Sequence, residues 1–582
     1  MSKRFNFAKL ILKLCIVLVG SFFYGMSFAA VDPATQQTIK NTLPGSTEPG
    51  VVSNIFTPKQ EIPKSLPRIT PPQEQPSSLG PQATQIKFKL TRIIIDDNHV
   101  YSEEQLSQLY KDKINTEISV AQLQEIVQSI TNFYRNNGYI LSRAILPPQH
   151  VTEGIVHVQV IEGYIDQVKV IGFPKGARAL VQAYGDKIAN SKPLQIKVME
   201  NYLRLANEVP GMQVKAVLEP SKTNTGASNL NLSAEEQTIN GYLSYDNYGT
   251  RYIGPNQVTG NASLNSIFRS GDSTHAVYAT TSRPQQLKFF DISYQTPIGT
   301  NGFYATLGGN SSKTQPGMNL ATIDINGNST TYYGLFQYPM IRSREKNLSL
   351  DGGFNYLDSQ VTSFNFPLYT DHIRAIKAGA NYDFSDRFHG SNLLGLHLEQ
   401  GLNIFGASHN PDSLTTSRPG ATGVYTKVVG QVARLQAIYG RLSAYAVANG
   451  QYSYRPLLAS VQFGFGGSQL GRGYDPAEII GDKGMSGSLE LRMDWAPGWF
   501  LLKAIEPYIF YDAGEIWNLK DVIGVKSQQS ATSTGFGTRF VFSSNFTGNL
   551  MITQPLTKSV TAMELIGRGR NPRGFFSVVA AV

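Results

Sequence analysis

From about Thr238 to Val582, some 345 residues, no segment carries a helical repeat. Runs of eight to ten residues instead alternate apolar and polar side chains. A period of two sends neighbouring side chains to opposite faces of a strand. In 239–247, Ile239, Leu243 and Tyr245 share a face opposite Asn240, Ser244 and Asp246. In 347–357, Leu348, Leu350, Phe354 and Tyr356 oppose Ser349, Asp351 and Asn355. In 392–405, Leu394, Leu396, Leu398, Leu402 and Ile404 oppose His397 and Glu399, and in 488–495 Leu489, Leu491, Met493 and Trp495 oppose Glu490, Arg492 and Asp494. A soluble β-sandwich alternates in the same way, because one face of each sheet is buried and the other is wet. Three features favour a closed membrane barrel with a wet lumen. The region contains no other element, the second face carries whole charges in successive segments, and aromatics gather at segment ends (Tyr332, Tyr333, Tyr338, Trp495, Trp499, Tyr508, Trp517) as interface girdles do.

Composition agrees. Charged residues are 16% and apolar residues 41%, with 54 Gly, 29 Tyr and 30 Phe. Beyond the first thirty residues no stretch approaches the ~18 consecutive apolar residues of a membrane-spanning helix. Those thirty residues hold Lys3, Arg4, Lys9 and Lys13, an apolar centre and small residues up to Ala29, the layout of a cleaved signal peptide over 1–29. Without them, 47 bases face 42 acids, a balance that gives no support for nucleic-acid binding. They also hold Cys15, the one cysteine, so the exported chain is expected to use neither disulfides nor thiol chemistry.

Residues 30–43 read as a short helix, with Asp32 as N-cap, Pro33 in its first turn and Leu43 at its end. So short a helix is marginal alone and must dock on something. Nine prolines between 44 and 83 mark a linker, extended where proline is dense. Residues 84–164 form a compact α/β unit. A strand over 86–96 precedes a helix with Leu106, Leu109 and Tyr110 on one face, then a helix with Leu123, Ile126, Val127 and Ile130, ending at Gly138; two strands follow. Residues 165–236 repeat the order strand–helix–helix–strand–strand.

Enzyme chemistry is missing. The eight histidines form no His-Glu-x-x-His pattern, and there is no Gly-x-Ser-x-Gly and no Gly-Lys dipeptide. No catalytic residue, metal or cofactor is expected. Two segments stand out instead. Residues 466–484 form a Gly-rich loop between strand-like stretches, carrying Leu470, Gly471, Arg472, Gly473 and Tyr474. Residues 506–517 place Asp512 in phase with Glu506, Tyr508 and Phe510 on the lumen side, with the small Gly514 beyond. An inward carboxylate and an arginine on a long loop can pair if the loop folds into the barrel; otherwise the loop is a solvated surface feature.

With these segments the chain resembles the two-partner secretion transporters (TpsB, the haemolysin activation/secretion proteins), whose superfamily joins POTRA domains to a barrel. Residues 138–165 are similar to the end of that family's first POTRA domain, 245–254 to its barrel entry, Leu470–Tyr474 to its inward-folded sixth extracellular loop, and 511–517 to the wall that receives the loop arginine. Two positions depart from the family pattern. Gly471 stands where a Val usually precedes the Arg, and the chain ends in Val582 where such barrels often end in an aromatic. The resemblance implies a transmembrane antiparallel β-barrel of sixteen strands (237–582), two POTRA domains (84–164 and 165–236) in the periplasm and a plug helix in the lumen. It implies an outer-membrane transporter, not an enzyme, that exports an unfolded β-helical partner protein without nucleotide. Arg472 then pairs with the wall at Asp512 and Gly514, and Pro147, Pro148, Gln149, Glu162 and Gly163 belong to the substrate-recognition motif of the first POTRA domain. Outer-membrane lipid, periplasmic chaperones and the barrel-assembly machinery are the further partners implied. A barrel-assembly or autotransporter-assembly factor and a passive porin are the alternatives.

Overall fold

The computed structural model describes residues 39–40, 43–56, 81–172, 176–520 and 526–582. The signal peptide expected over 1–29, most of the helix expected over 30–43 and most of the proline-rich segment lie outside these residues.

Sixteen antiparallel strands close into one barrel. The first strand (Ile239–Asp246) pairs with the second (Gln257–Asn265) and with the sixteenth (Arg573–Ala581), so no edge is left open to lipid. Leu243, Leu396 and Leu489 point outward and are exposed, while Asp351, His397 and Glu490 point inward. Lipid selects the first set. The second set is satisfied within the lumen, as where His397 Nε2 lies 3.1 Å from Asp351 Oδ1. Two of the expected girdle aromatics belong to the lumen instead. The Tyr333 hydroxyl donates to Asp291 Oδ2 (3.0 Å), and the Tyr508 hydroxyl to Asn549 Oδ1 (2.9 Å). Strand parity decides this, because each stands an odd number of residues from an outward neighbour, Tyr332 or Tyr511. Leu402 and Ile404 fall beyond the ninth strand (Gly390–Gly401). The sixth, seventh and eighth strands (Ile325–Arg342, Lys346–Ser363, Phe366–Ser385) run 18, 18 and 20 residues, well beyond the ~9–11 that span a bilayer.

Two α/β modules precede the barrel. In the first, β1 (Lys87–Lys89) pairs with β3 (Glu117–Ser119), and β2 (Arg92–Asp96), β5 (Ile155–Ile161) and β4 (Arg143–Ile145) form a sheet in that order. The single strand expected over 86–96 is therefore broken: the chain leaves one sheet at Leu90 and enters another at Arg92. Leu90 is fully buried at that step. Helices α2 (Glu103–Ser107) and α3 (Val120–Asn136) cover the sheet. Each opens with a reciprocal capping box, Ser102 with Gln105 and Ser119 with Gln122, which satisfies amides that the first turn leaves free. Leu123, Ile126, Val127 and Ile130 are buried against Ile93, Val156 and Val158. Beyond α3, Gly138 has φ +96°, the left-handed geometry that ends a helix. The second module repeats the order with β6 (Tyr164–Gly172), α4 (Arg178–Ala189), α5 (Ile196–Glu208), β7 (Met212–Pro220) and β8 (Ala227–Glu236). Its sheet runs β6–β8–β7.

The modules are fastened to each other and to the rim. Gln195 Nε2 donates to Tyr139 Oη (2.8 Å) and Ile196 N to Gly138 O (2.9 Å), across the two modules. Leu180 N in α4 donates to Ser270 Oγ on the connection after the second strand (3.2 Å), Arg342 Nε meets Glu208 (2.8 Å), and Arg204 Nη1 donates to Ser343 O (2.7 Å). Gly302 lets α5 approach the rim: a Cβ there would lie 2.5 Å from Leu205 Cδ2.

The lumen contains a helix that the sequence reading assigned to the linker over 44–83. A 3-10 turn (Gly45–Thr47) leads into α1 (Pro49–Ile55). Pro49 counted as a linker proline, yet it occupies the first turn of the helix, where its missing N–H costs nothing. Val52 is fully buried among Tyr252, Leu287, Ile325 and Tyr369, and Phe56 stacks on Phe289 with centroids 5.1 Å apart. Ser312 Oγ donates to Pro49 O (2.7 Å) from the barrel wall. Gly50 is required by close approach, since a Cβ would come within 2.3 Å of Ser460 Oγ.

Glu48, at the N-cap of α1, does not cap the helix; its buried carboxylate accepts from the Tyr369 hydroxyl. Burial pushes its pKa up to about 7, the Tyr369 hydrogen bond opposes that rise, and Asp371 adds to it. Lys40 is nearby, donating Nζ to Thr416 O (2.9 Å). In water Glu48 returns to its ordinary value of 4.5. The docked helix therefore binds protons that the released helix gives up between pH 4.5 and about 7, and docking weakens as pH rises through that window. Resting conductance in planar bilayers should rise from pH 5 to pH 8. Glu48→Gln should flatten that profile at its low-pH level; a wild-type conductance indifferent to pH would exclude this control.

Candidate functional site: the loop latch and the recognition module

Between the eleventh strand (Leu442–Ser453) and the twelfth (Lys483–Met493), the chain folds back into the lumen instead of arching outward. Two short strands, Phe463–Phe465 and Ile479–Gly481, pair to hold the loop's base. Its tip carries Arg472 to the inner wall of the twelfth and thirteenth strands (the latter Ala504–Trp517), which pair Ser488 with Asp512.

Arg472 is 5% exposed and Asp512 fully buried. The guanidinium grips the carboxylate with both edges, Nε to Oδ2 (3.0 Å) and Nη2 to Oδ1 (2.8 Å). Asp512 Oδ2 also accepts the amides of Gly471 (3.1 Å) and Arg472 (2.9 Å). Nη1 reaches Glu490 Oε2 (2.5 Å), Nη2 reaches Ser488 Oγ (2.8 Å), and the guanidinium carbon lies 3.5 Å from the Phe510 ring centroid. A planar fork with five donors suits this set, and a lysine ammonium cannot reproduce it.

The small residues at the tip have separate reasons. Gly471 sits at φ +77°, and a Cβ there would lie 2.8 Å from Phe465 Cζ and 2.9 Å from Gly466 Cα. That contact accounts for the departure from the family's Val. Gly473 donates N–H to Ser533 Oγ (3.2 Å), and a Cβ would meet Ser533 Cβ at 2.6 Å. Gly514 on the wall leaves the space that the Phe465 ring fills. Tyr474 is buried and donates Oη to Thr532 O (2.8 Å), while Leu470 packs on the cluster of Phe465, Ile516 and Val560.

Sequence reading missed half of this site. Glu490 is the hub: besides Arg472 it meets Arg492 Nε (2.5 Å) and Arg539 Nη2 (2.8 Å). Arg539 also pairs with Glu506. A second tie joins Arg573 Nη2 to Asp475 Oδ1 (2.6 Å) just past the tip. Alternation puts Glu490 and Arg492 on the inward face, but no local signal says which inward charges meet across strands.

In the first α/β module the expected recognition residues separate. Pro147 helps line a groove of ≈550 Å³ with Ile86, Phe88, Leu123, Leu146 and Val151. Gln149, at the same groove, ties the sheet edge: it donates Nε2 to His157 O (2.7 Å) and accepts His157 N (2.8 Å), continuing β4's ladder after β4 has ended. Pro148 is exposed beside it. Glu162 and Gly163 lie elsewhere. Glu162 Oε1 accepts His99 N and Val100 N (both 2.9 Å) and the Tyr134 hydroxyl (3.1 Å), stapling a loop to α3. A Cβ on Gly163 would strike Leu141 O at 2.5 Å.

Comparison with known proteins agrees with this architecture. Residues 226–540 match the family described as haemolysin secretion/activation protein ShlB/FhaC/HecB, and residues 88–163 match the ShlB-type POTRA domain. The heme/hemopexin transporter protein HuxB of Haemophilus influenzae strain 86-028NP is 26% identical over 278 residues, about half of each protein (47% of this chain, 48% of the relative). HuxB of Haemophilus influenzae is 22% identical over 488 residues, 82% of this chain and 85% of the relative. The solved structure of CdiB from Escherichia coli has the same fold, with a TM-score of 0.69 at 18% identity, covering 96% of this chain and all of that one. A family match across more than half the chain, with a sixteen-stranded closed barrel, an inward loop latched by Arg472 and a matching POTRA module, identifies the chain as a member of the haemolysin secretion/activation family of outer-membrane two-partner secretion transporters.

Proposed function

We propose that this transporter binds an unfolded, β-helical exoprotein in the periplasm and passes it through the barrel to the cell surface without nucleotide hydrolysis. The carrying observation is a lumen occupied by α1 and the Arg472 loop, together with two α/β modules, the second of them fastened at the periplasmic rim. A porin has no use for those modules. An assembly factor of the same superfamily usually carries three or more POTRA domains. Capture falls to the first module, where the apolar groove at Pro147 and Gln149 adjoins sheet edges that an extended chain can join by backbone hydrogen bonds. Arg472 with Asp512 holds the loop that shapes the conduit. Periplasmic chaperones and the barrel-assembly machinery serve the transporter's own insertion.

The free edge of β2 offers a test. Arg92 N bonds toward β5, at Gly154 O (3.3 Å), so by alternation the amide of Ile95 faces away from the sheet. Ile95→Pro should remove one edge donor while sparing the β2–β5 ladder. Secretion of the partner should drop sharply, with the barrel still heat-modifiable in the outer membrane. Undiminished export by this variant would move capture to another surface.

A further inference from the structure

The rim that joins the second α/β module carries seven strand connections, and one differs from the rest. Residues 494–503, between the twelfth and thirteenth strands, make a ten-residue connection where the others have two to seven. It is an ordered hairpin that continues the two strands beyond the barrel. Trp495 and Ile505 exchange backbone hydrogen bonds (2.9 and 2.7 Å), and Leu502 N donates to Trp499 O (3.3 Å). Lys503 N donates to Val541 O (2.8 Å) and fixes the base to the fourteenth strand (Gln528–Ser543).

The tip of this hairpin is Phe500–Leu501, 97% and 74% exposed. A two-residue turn ordinarily takes Gly, Asn or Asp, for which backbone geometry gives the reason; nothing in turn geometry asks for Phe and Leu. Trp499 is 58% exposed, and its ring meets that of Trp495 edge-on at 6.0 Å. Trp495 continues the outward row of Leu489, Leu491 and Met493, and Ile509 and Tyr511 extend the same apolar surface on the neighbouring strand. The patch is thus continuous with the lipid-facing band of the barrel, and Lys503 stands exposed at its root.

We propose that the 494–503 hairpin is a membrane anchor, inserted in the periplasmic leaflet of the outer membrane, with phospholipid as its partner. Phe500 and Leu501 enter the acyl region, the two indoles lie at the interface with their N–H groups toward water, and Lys503 reaches back to lipid phosphate. The anchor holds at fixed depth the two strands that present Glu490 and Asp512 to the loop tip.

The three tryptophans make this measurable: Trp495 and Trp499 are in the hairpin, and Trp517 ends the thirteenth strand on the opposite side of the membrane. Full-length Trp517→Phe protein is reconstituted in phosphatidylethanolamine–phosphatidylglycerol vesicles, with plain or brominated acyl chains. Blue-shifted emission is expected, strongly quenched by brominated lipid and weakly by aqueous acrylamide. Adding Phe500→Ser and Leu501→Ser should shift emission to the red and lower the bromine quenching to the share that Trp495 keeps on the lipid-facing row, with heat-modifiability confirming the barrel. Where that variant fails to insert, Trp495→Phe/Trp517→Phe leaves Trp499 alone, and its quenching by bromine decides the question. Water-like emission indifferent to bromine, or bromine quenching unchanged in the Ser variant, would overturn the anchor.

Discussion

Arg472→Ala protein should insert as a heat-modifiable barrel and secrete its partner poorly. The substitution removes both bonds to Asp512 and the contacts to Glu490 and Ser488 at once. Orphaning one member of a well-buried ion pair costs on the order of 3–5 kcal/mol, and the wet lumen brings the figure here towards the lower end or below. Glu490 keeps Arg492 and Arg539, so the uncompensated charge is that of Asp512, which is fully buried. Asp512→Ala should be nearly as damaging, because it frees the amides of Gly471 and Arg472 as well as the guanidinium edge. The double variant should be little worse than Arg472→Ala, since both changes delete one contact set. Arg472→Lys should rescue in part: an ammonium can sit between the two acids but cannot grip either with a fork. Secretion by these four variants is the measurement, and strictly additive defects, or wild-type export by Arg472→Ala, would show that the loop tip is not a latch.

Deleting 44–56 should raise single-channel conductance severalfold while leaving the barrel intact. The segment fills the lumen with Val52 and Phe56 on apolar wall residues and with backbone carbonyls on Ser312 and Thr314. None of those wall groups holds strands together, so its removal opens a path without breaking the sheet. Deleting 31–43 alone should have a smaller effect, because α1 and Glu48 remain. Equal conductance for both deletions and the wild type would mean that the loop, not the helix, closes the conduit.

The barrel was legible because lipid outside and water inside impose opposite demands on alternate residues, and that demand is written locally in every strand. Helix α3 was legible for a similar reason, its apolar face and Gly138 stop being short-range signals. Tyr333 went to the wrong side because aromatic content, without parity, does not distinguish a girdle from a lumen, and for Tyr508 the phase it shares with Asp512, not its aromatic ring, gave the right face. The helix at Pro49 was hidden within the stretch read as a linker, because proline marks both a linker and a helix start, and Pro49 is the second.

Periodicities of a few residues were enough to mark the barrel region, the inward charges of its segments and the two repeated modules. The loop arginine and the wall carboxylate stood out as candidates, and the resemblance to the family supplied their pairing. Only the tertiary structure decided that Glu490 gathers Arg472, Arg492 and Arg539, that Gly471 is demanded by Phe465, and that Glu48 lies buried beneath Tyr369. Closing a barrel sets residues hundreds of positions apart within hydrogen-bond reach, as with Glu48 and Tyr369. Which inward charges then meet depends on register and strand tilt, quantities that no local stretch of sequence encodes.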